Sequence, residues 1–398
     1  MFYVTVMQSP MHHQMTLEEL LYGDDNKPAV IASNESNTRT YEVKWVSSRF
    51  SKDFNISHLI GKLAKFNESV AELRKQDRAS LYRTFLVPKR SGGLRRIDAP
   101  NPELMAALRQ LKAILEVDFR ALYHTSAFAY VKKRCTVDAV KRHQRNGSRW
   151  FGKLDLKDFF GSTTIEFVMS MLSMIFPFSV VAQSRAGNQE LRTALELAFL
   201  NGGLPQGTPI SPLVTNLMMI PIDFKLNKAL GNLDGQKFIY TRYADDFLIT
   251  SEFRFDIRSV EKLVTDTLKD FGAPFTVNAS KTRFGSSSGR NWNLGIMLNK
   301  DNEITVGHKN KRRLQSMLHS YIMSKNRGEG WDKNDVQVLQ GTISYYRMIE
   351  KKNIDAIIAH INEKTGKDVM GLIRSDLSGS PCPGHAPEPT PPLWERNR

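Results

Sequence analysis

Cysteine is almost missing from this chain, with only Cys135 and Cys382 among 398 residues. That excludes a cysteine-based zinc site and suits a reducing cytoplasm. Long apolar runs are missing too. The best, Val168 to Ala182, is broken by Ser170, Ser173, Pro177 and Ser179 and is too short to span a bilayer. The start, Met1-Phe2-Tyr3-Val4, lacks the basic and apolar parts of a secretory signal. There is no internal repeat. Acidic residues are scarce against basic ones, 41 to 56, a formal net charge of +15. With no membrane segment, that excess implies a polyanionic partner, nucleic acid.

The rest of the composition, 41% hydrophobic and 24% charged, is that of an ordinary globular protein, long enough for two or three domain-sized units. The cations are clustered. Arg83, Lys89, Arg90, Arg95 and Arg96 flank Gly92-Gly93. Lys132, Lys133, Arg134, Lys141, Arg142, Arg145 and Arg149 form a second run, and Lys309, Lys311, Arg312 and Arg313 a third. Any one run could be a solvated face. Three of them suggest a channel that tracks phosphates.

Tyr243-Ala244-Asp245-Asp246 stands between two runs rich in aromatic and β-branched residues, Lys237 to Arg242 and Phe247 to Thr250. This pattern predicts a hairpin with two adjacent carboxylates at its tip. Half-buried like charges call for a cation, and oxygen ligands select Mg²⁺. An acidic turn facing water is the alternative, and the hairpin alone leaves both open. Ninety residues earlier, Phe151 to Phe160 is another apolar run carrying an acid, Asp155. Between them lies Gly203-Leu204-Pro205-Gln206-Gly207-Thr208-Pro209-Ile210-Ser211-Pro212, a rigid turn feeding an apolar helix.

In that order, these three motifs resemble the reverse transcriptases, in their bacterial branch related to group II introns and retrons. The resemblance covers about Leu81 to Ile361. It includes the glycine hairpin from Phe85 to Ile97 and the blocks Ser126-Ala127-Phe128-Ala129-Tyr130 and Asp138 to His143. Asp138 replaces a usual Asn, and Asn293-Leu294-Gly295 stands where retrons carry Val-Thr-Gly. These departures are closer to the defence-associated reverse transcriptases.

The resemblance implies an α+β fold with right-hand polymerase architecture: fingers, a palm with an antiparallel sheet, and a helical thumb. The expected division is an N-terminal extension over 1–55, fingers and part of the palm over 56–150, and the catalytic palm over 151–302. A thumb over 303–374 and a disordered proline-rich tail over 375–398 complete it. The expected ligands of two Mg²⁺ ions, or Mn²⁺ in their place, are Asp155, Asp245 and Asp246. Asp158 is expected to be structural, turned away by strand alternation. Phe160 would exclude a 2′-hydroxyl, Gln206 would touch nucleotide and template, and Lys89 and Arg95 would meet the triphosphate. Lys281 matches the lysine that protonates pyrophosphate. Lys132, Lys133, Arg134, Lys309, Arg312 and Arg313 would hold nucleic acid. The last three precede or lie opposite a stripe of Leu314, Met317, Leu318, Tyr321 and Ile322.

The expected activity is an RNA-directed DNA polymerase using dNTPs, a structured non-coding RNA and a cDNA product, in the cytoplasm and in antiphage defence. Its oligomeric state is left open. Two other readings stand beside it: a template-independent or protein-primed DNA polymerase, and a non-catalytic RNA-binding, maturase-like protein. His12-His13 is set aside as a metal pair because nothing completes the site.

Overall fold

A computed structural model describes residues 2–4, 41–43, 55–89, 92–116, 123–287 and 292–378. His12, His13, Arg90, almost all of the N-terminal extension and the tail beyond Ser378 lie outside them. The elements in chain order are β1 (Phe2–Val4), β2 (Tyr41–Val43), α1 (Ile56–Ser69), α2 (Ala71–Lys75), β3 (Tyr82–Pro88), β4 (Leu94–Pro100) and α3 (Pro102–Leu115). Next come α4 (Thr136–Arg145), β5 (Trp150–Lys157), α5 (Ile165–Leu172), α6 (Phe178–Gln183), α7 (Arg185–Glu196), α8 (Ser211–Met218) and α9 (Ile220–Gly231). The chain continues through β6 (Phe238–Tyr243), β7 (Asp246–Ser251), α10 (Ile257–Asp270), β8 (Thr276–Val277) and β9 (Arg283–Ser286). It closes with β10 (Trp292–Asn293), β11 (Ile296–Leu298), β12 (Ile304–Thr305), α11 (His308–Asn326), α12 (Lys333–Thr365) and α13 (Val369–Ser378).

Two compact units divide this chain. The first comprises residues 1–135 and 150–284, the second 136–149 and 285–398. These divisions differ from the expected domain limits near 150 and 302. They also split the second basic run, with Lys132 to Arg134 in one unit and Lys141 to Arg149 in the other.

In the first unit the strand order is β6-β7-β5-β8, and the neighbouring strands pair antiparallel. On β5, Phe151, Leu154 and Leu156 are buried while Lys153 and Asp155 are half-buried and Lys157 is exposed. The alternation thus sends leucines to the core and puts Asp155 on the other face. Helices α1, α3, α7, α8 and α9 add Leu63, Leu108, Leu195, Leu217 and Leu226 to the same core. Pro102 and Asn101 start α3 well, since the Asn101 side chain accepts the Leu104 N–H at 2.8 Å and proline suits the first turn.

The second unit is mainly helical. Leu314, Met317, Leu318, Tyr321 and Ile322 of α11 are buried, as the spacing predicts, with Leu339, Ile343, Ile354 and Ile358 of α12 in the same cluster. Helix α12 breaks at Glu350 (φ −143°, ψ 59°). There the carboxylate accepts from Thr305 Oγ1 at 2.7 Å, Val306 N at 3.2 Å and Lys311 Nζ at 2.5 Å. Among the described residues, no helix is long and apolar enough to cross a membrane.

Candidate active site

Register builds the centre. On β5, Asp155 lies directly opposite Asp246 of β7, and Asp246 in turn faces Tyr243 of β6. Only Ala244 and Asp245 make the turn, so Asp246 is the first residue of a strand rather than part of the tip. Ala244 has φ +58°, the sign that two-residue hairpin turns favour at their first central position. The Asp245 carbonyl accepts the Leu156 N–H at 3.1 Å, and the Asp155 carbonyl accepts Asn278 N–H at 2.7 Å. These backbone bonds join the two acidic segments and the loop of Lys281.

Beneath the turn lies a polar network with no conspicuous local pattern in the sequence. Arg242 and Asp223 are 1% and 0% exposed, so each charge depends on the other. Arg242 donates from Nε and Nη2 to the two Asp223 oxygens, each at 2.8 Å. Its Nη1 reaches Asn216 Oδ1 at 3.1 Å and the Ala244 carbonyl at 3.2 Å. Tyr240 donates to Asp223 Oδ1 at 2.8 Å. The guanidinium therefore holds the acidic turn from below. An arginine inside an apolar strand was the available signal, but its partner is on α9, 19 positions away.

The electrostatics are those of crowded acids. Burial first, then the Asp155 charge, raises the Asp245 pKa against the pull of its backbone hydrogen bond. Burial first, then Asp245 and Asp155, push Asp246 up to about 6. Lys281 Nζ lies 3.0 and 2.9 Å from the two Asp155 oxygens, and that bond raises the lysine pKa. Lys153 shares the Asp155 face; burial lowers its pKa to about 8, and Asp246 opposes that fall. Among the described residues, no group of three or more His, Cys, Asp or Glu side chains is already gathered as a metal cage. The donor set still fits hard divalent cations, because three carboxylates that repel one another gain most from one. Lys281 supplies part of that compensation at Asp155.

Phe160 and Gln206 are joined through backbone. The Phe160 carbonyl accepts the Leu204 N–H at 2.9 Å, and the Gln206 carbonyl accepts the Asp98 N–H at 2.8 Å. Glycine is required for both approaches. A Cβ at Gly203 would stand 2.0 Å from the Gly161 oxygen, and one at Gly207 (φ +122°) 2.9 Å from the Asp98 oxygen. The half-buried Phe160 ring packs edge-on against Phe159, which is core. Asp158 is off the strand altogether. It sits at φ +47° in the following turn, its carbonyl accepting from the Ser162 N–H at 2.9 Å.

The β3–β4 hairpin carries the cations. Lys89 closes its loop through two backbone bonds with Gly92 and Gly93. Arg96 donates to Asp98 Oδ1 at 2.9 Å, and so is committed to its own strand. Arg95, on the opposite face by alternation, is close enough for its charge to lower the Asp245 pKa. Of the other basic candidates, Lys132 pairs with Glu116 at 3.3 Å and Lys133 is exposed. Arg134 is turned inward, donating to the carbonyls of His124 and Ala127 at 2.7 and 2.6 Å, and burial lowers its pKa. Its role is to hold a loop, unlike the expected phosphate contact. Lys309, Arg312 and Arg313 are exposed on α11 of the second unit.

The reverse transcriptase (RNA-dependent DNA polymerase) family profile matches residues 87–313, a span that holds every candidate above from Lys89 to Arg313. Retron Ec73 reverse transcriptase of Escherichia coli is 28% identical over 273 residues, covering 66% of this chain and 82% of its own. Retron Ec83 reverse transcriptase of Escherichia coli is 27% identical over 319 residues, covering 77% and 94%. Among solved structures, apo telomerase from Candida tropicalis aligns at 13% identity with a TM-score of 0.43, covering 87% of this chain and 70% of that one.

Proposed function

This chain belongs to the reverse transcriptase family, in its bacterial retron-like branch, and on that premise we propose that it makes cDNA by two-metal nucleotidyl transfer on a dedicated structured RNA. The reading rests on one observation: Asp155 and Asp246 face each other across paired strands with Asp245 in the adjoining turn. Asp155, Asp245 and Asp246 would hold two Mg²⁺ ions, whose chemistry, when bound, would be Lewis-acid activation of a 3′-hydroxyl and charge neutralisation for a leaving pyrophosphate. Asp155 and Asp245 would be the principal ligands of those ions and Asp246 the supporting carboxylate. Lys281, kept protonated by Asp155, gives a proton to the departing pyrophosphate. Arg95 and Lys89 fix the triphosphate and counter its developing charge. The Phe160 ring excludes a 2′-hydroxyl, and Gln206 positions the nucleotide against the template.

A binder without chemistry has no need of three mutually repelling carboxylates, which disfavours the maturase-like reading. The dedicated RNA is supported by the net charge of +15 and by exposed cations on α11. Cytoplasmic antiphage defence is the biological setting this reading proposes. Incorporation of dNTPs on a primed RNA template tests the chemistry, and Phe160→Ala should admit ribonucleotides. An unchanged ratio of dNTP to NTP incorporation would remove Phe160 from the gate. Sequencing of RNA crosslinked to the protein in cells tests the partner. A diffuse spread over many transcripts would end the dedicated-RNA proposal.

A further inference from the structure

Tyr130 is 54% exposed, while its neighbours Phe128, Ala129 and Val131 are 7%, 1% and 6% exposed. Its backbone has φ +59°, a conformation a bulky L-residue adopts only where its surroundings impose it. The surroundings here are exacting. Residues 126–128 run parallel to β6, with Arg242 N–H donating to Ser126 O at 2.7 Å and Phe128 N–H to Arg242 O at 2.9 Å. Asn216 Nδ2 donates to the Ala129 carbonyl at 2.6 Å, and Arg134 clamps the Ala127 carbonyl. The Arg242 and Asn216 that brace the Asp245 turn therefore brace this loop as well. All that bonding ends in one aromatic ring left in the open.

The loop that carries the ring is paired to the strand leading into the acidic turn: Ala127 bridges Arg242, three residues before Asp245. The covered part of the side chain, and then the charges of Asp245 and Tyr243, raise the hydroxyl pKa, with Arg95 acting the other way. A phenol within reach of the Asp245 charge is a poor phosphate ligand, because Asp245 repels phosphate and Arg95 is the cation proposed to serve it. The uncharged face of a base suits it, since every base has a π-face to stack. Tyr243 and Asp245 belong to the turn where a 3′-hydroxyl must lie, which points to the end of the growing strand. We infer that Tyr130 is a positioning residue whose ring supports the primer-terminal base. This rests on the polymerase reading above.

The test uses the full chain with a primer–template carrying 2-aminopurine as the 3′-terminal primer base, at saturating protein. Wild type and Tyr130→Phe should quench the probe on binding, and Tyr130→Ala and Tyr130→Gly should not. Steady-state incorporation should show KM for primer–template raised about tenfold or more in the Ala and Gly variants, with kcat changed less, and Phe within about twofold of wild type. Tyr130→Gly suits the positive φ and should keep the melting temperature, so lost function there is not lost fold. Equal quenching and equal KM in wild type, Tyr130→Ala and Tyr130→Gly would overturn the inference. Failure of the polymerase reading has a different signature: wild type binds and quenches but adds no dNTP.

Discussion

The first unit carries two antiparallel hairpins, both assigned to one substrate by the proposed function, that are held in different ways. In β6–β7 the turn takes two residues, five of the six residues of β7 are buried, and Arg242–Asp223 supports the tip from inside. In β3–β4 the strands are closed by the Lys89–Gly93 backbone bond, and every residue of β3 after Tyr82 is exposed. Phe85, Leu86, Val87 and Leu94 all stand at the surface. Beyond its own ladder, that hairpin is tied at the base, where Asp98 N–H meets Gln206 O and Asn101 N–H meets Leu81 O. On the proposed function, metal-dependent chemistry would tolerate little misplacement of its carboxylates, a need that the buried hairpin suits. The hairpin proposed to grip the nucleotide would have to accept and release it, and anchoring at its base suits that.

The largest effect that could break this comparison comes from the acids. Asp245→Asn and Asp246→Asn should each lower kcat for dNTP incorporation by more than about a hundredfold. Their metal-free melting temperatures should hold or rise, because a like charge is removed. Wild-type incorporation by both variants would mean that the rigid hairpin is not the catalytic one.

Next in size is the support beneath. Arg242→Met leaves the buried Asp223 with the Tyr240 hydroxyl but without its ion-pair partner, and should cost about 3–5 kcal/mol in urea-induced unfolding. Leu86→Thr on the other hairpin should stay within about 0.5 kcal/mol. Similar losses for the two would erase the distinction in how the hairpins are held.

How far each hairpin could be read in advance follows from where its partners lie. The strands of β6–β7 are legible in a local run of aromatic and β-branched residues, and the helical stripe from Leu314 to Ile322 in its spacing. Asp155 is legible through the resemblance. The support network is not, because Asp223, Asn216 and Ser126 are distant from Arg242 in the chain and only folding brings them to it. Arg134 misleads for the same reason: a cation in a basic run gives no local sign that two carbonyls will claim it. Asp158 and Tyr130 owe their places to positive φ, which aspartate tolerates in many turns and which tyrosine gives no warning of. Among neighbouring cations on the exposed hairpin, alternation alone separates Arg95 from Arg96.

That separation gives the third test. Arg95→Ala should raise the KM for dNTP about tenfold, the worth of one charge-assisted contact. Arg96→Ala should change it by less than about twofold, since Arg96 is spent on Asp98. Equal effects would mean that both faces of the hairpin meet substrate.

The smallest effect is in pH, and it separates the hairpins by charge. The Asp246 pKa in the folded protein, about 6, is above its ordinary value of 3.8. A raised carboxyl binds its proton more tightly folded than unfolded, so the folded state holds more protons between these two values. Stability from this group is therefore present below about pH 4 and lost as pH rises through about 6. His143 acts oppositely: buried, with its pKa lowered to about 3 from 6.5, it destabilises the fold as pH falls below 6.5. Wild-type melting alone mixes the two, so the measurement is the difference between wild type and Asp246→Asn in metal-free buffer at pH 5 and pH 7.5. Asp246 should make wild type lose more stability, or gain less, on going to pH 7.5, and the Asp246→Asn substitution should remove that part. Mg²⁺ at pH 7.5 should restore it in wild type by neutralising the crowded acids. Arg96→Ala, on the exposed hairpin, should leave the pH difference as it is in wild type. Because the Asp246 side chain reaches solvent, screening keeps the effect modest. A wild type and an Asp246→Asn variant with the same pH difference would show that Asp246 is not held above its ordinary range by burial and the neighbouring acids.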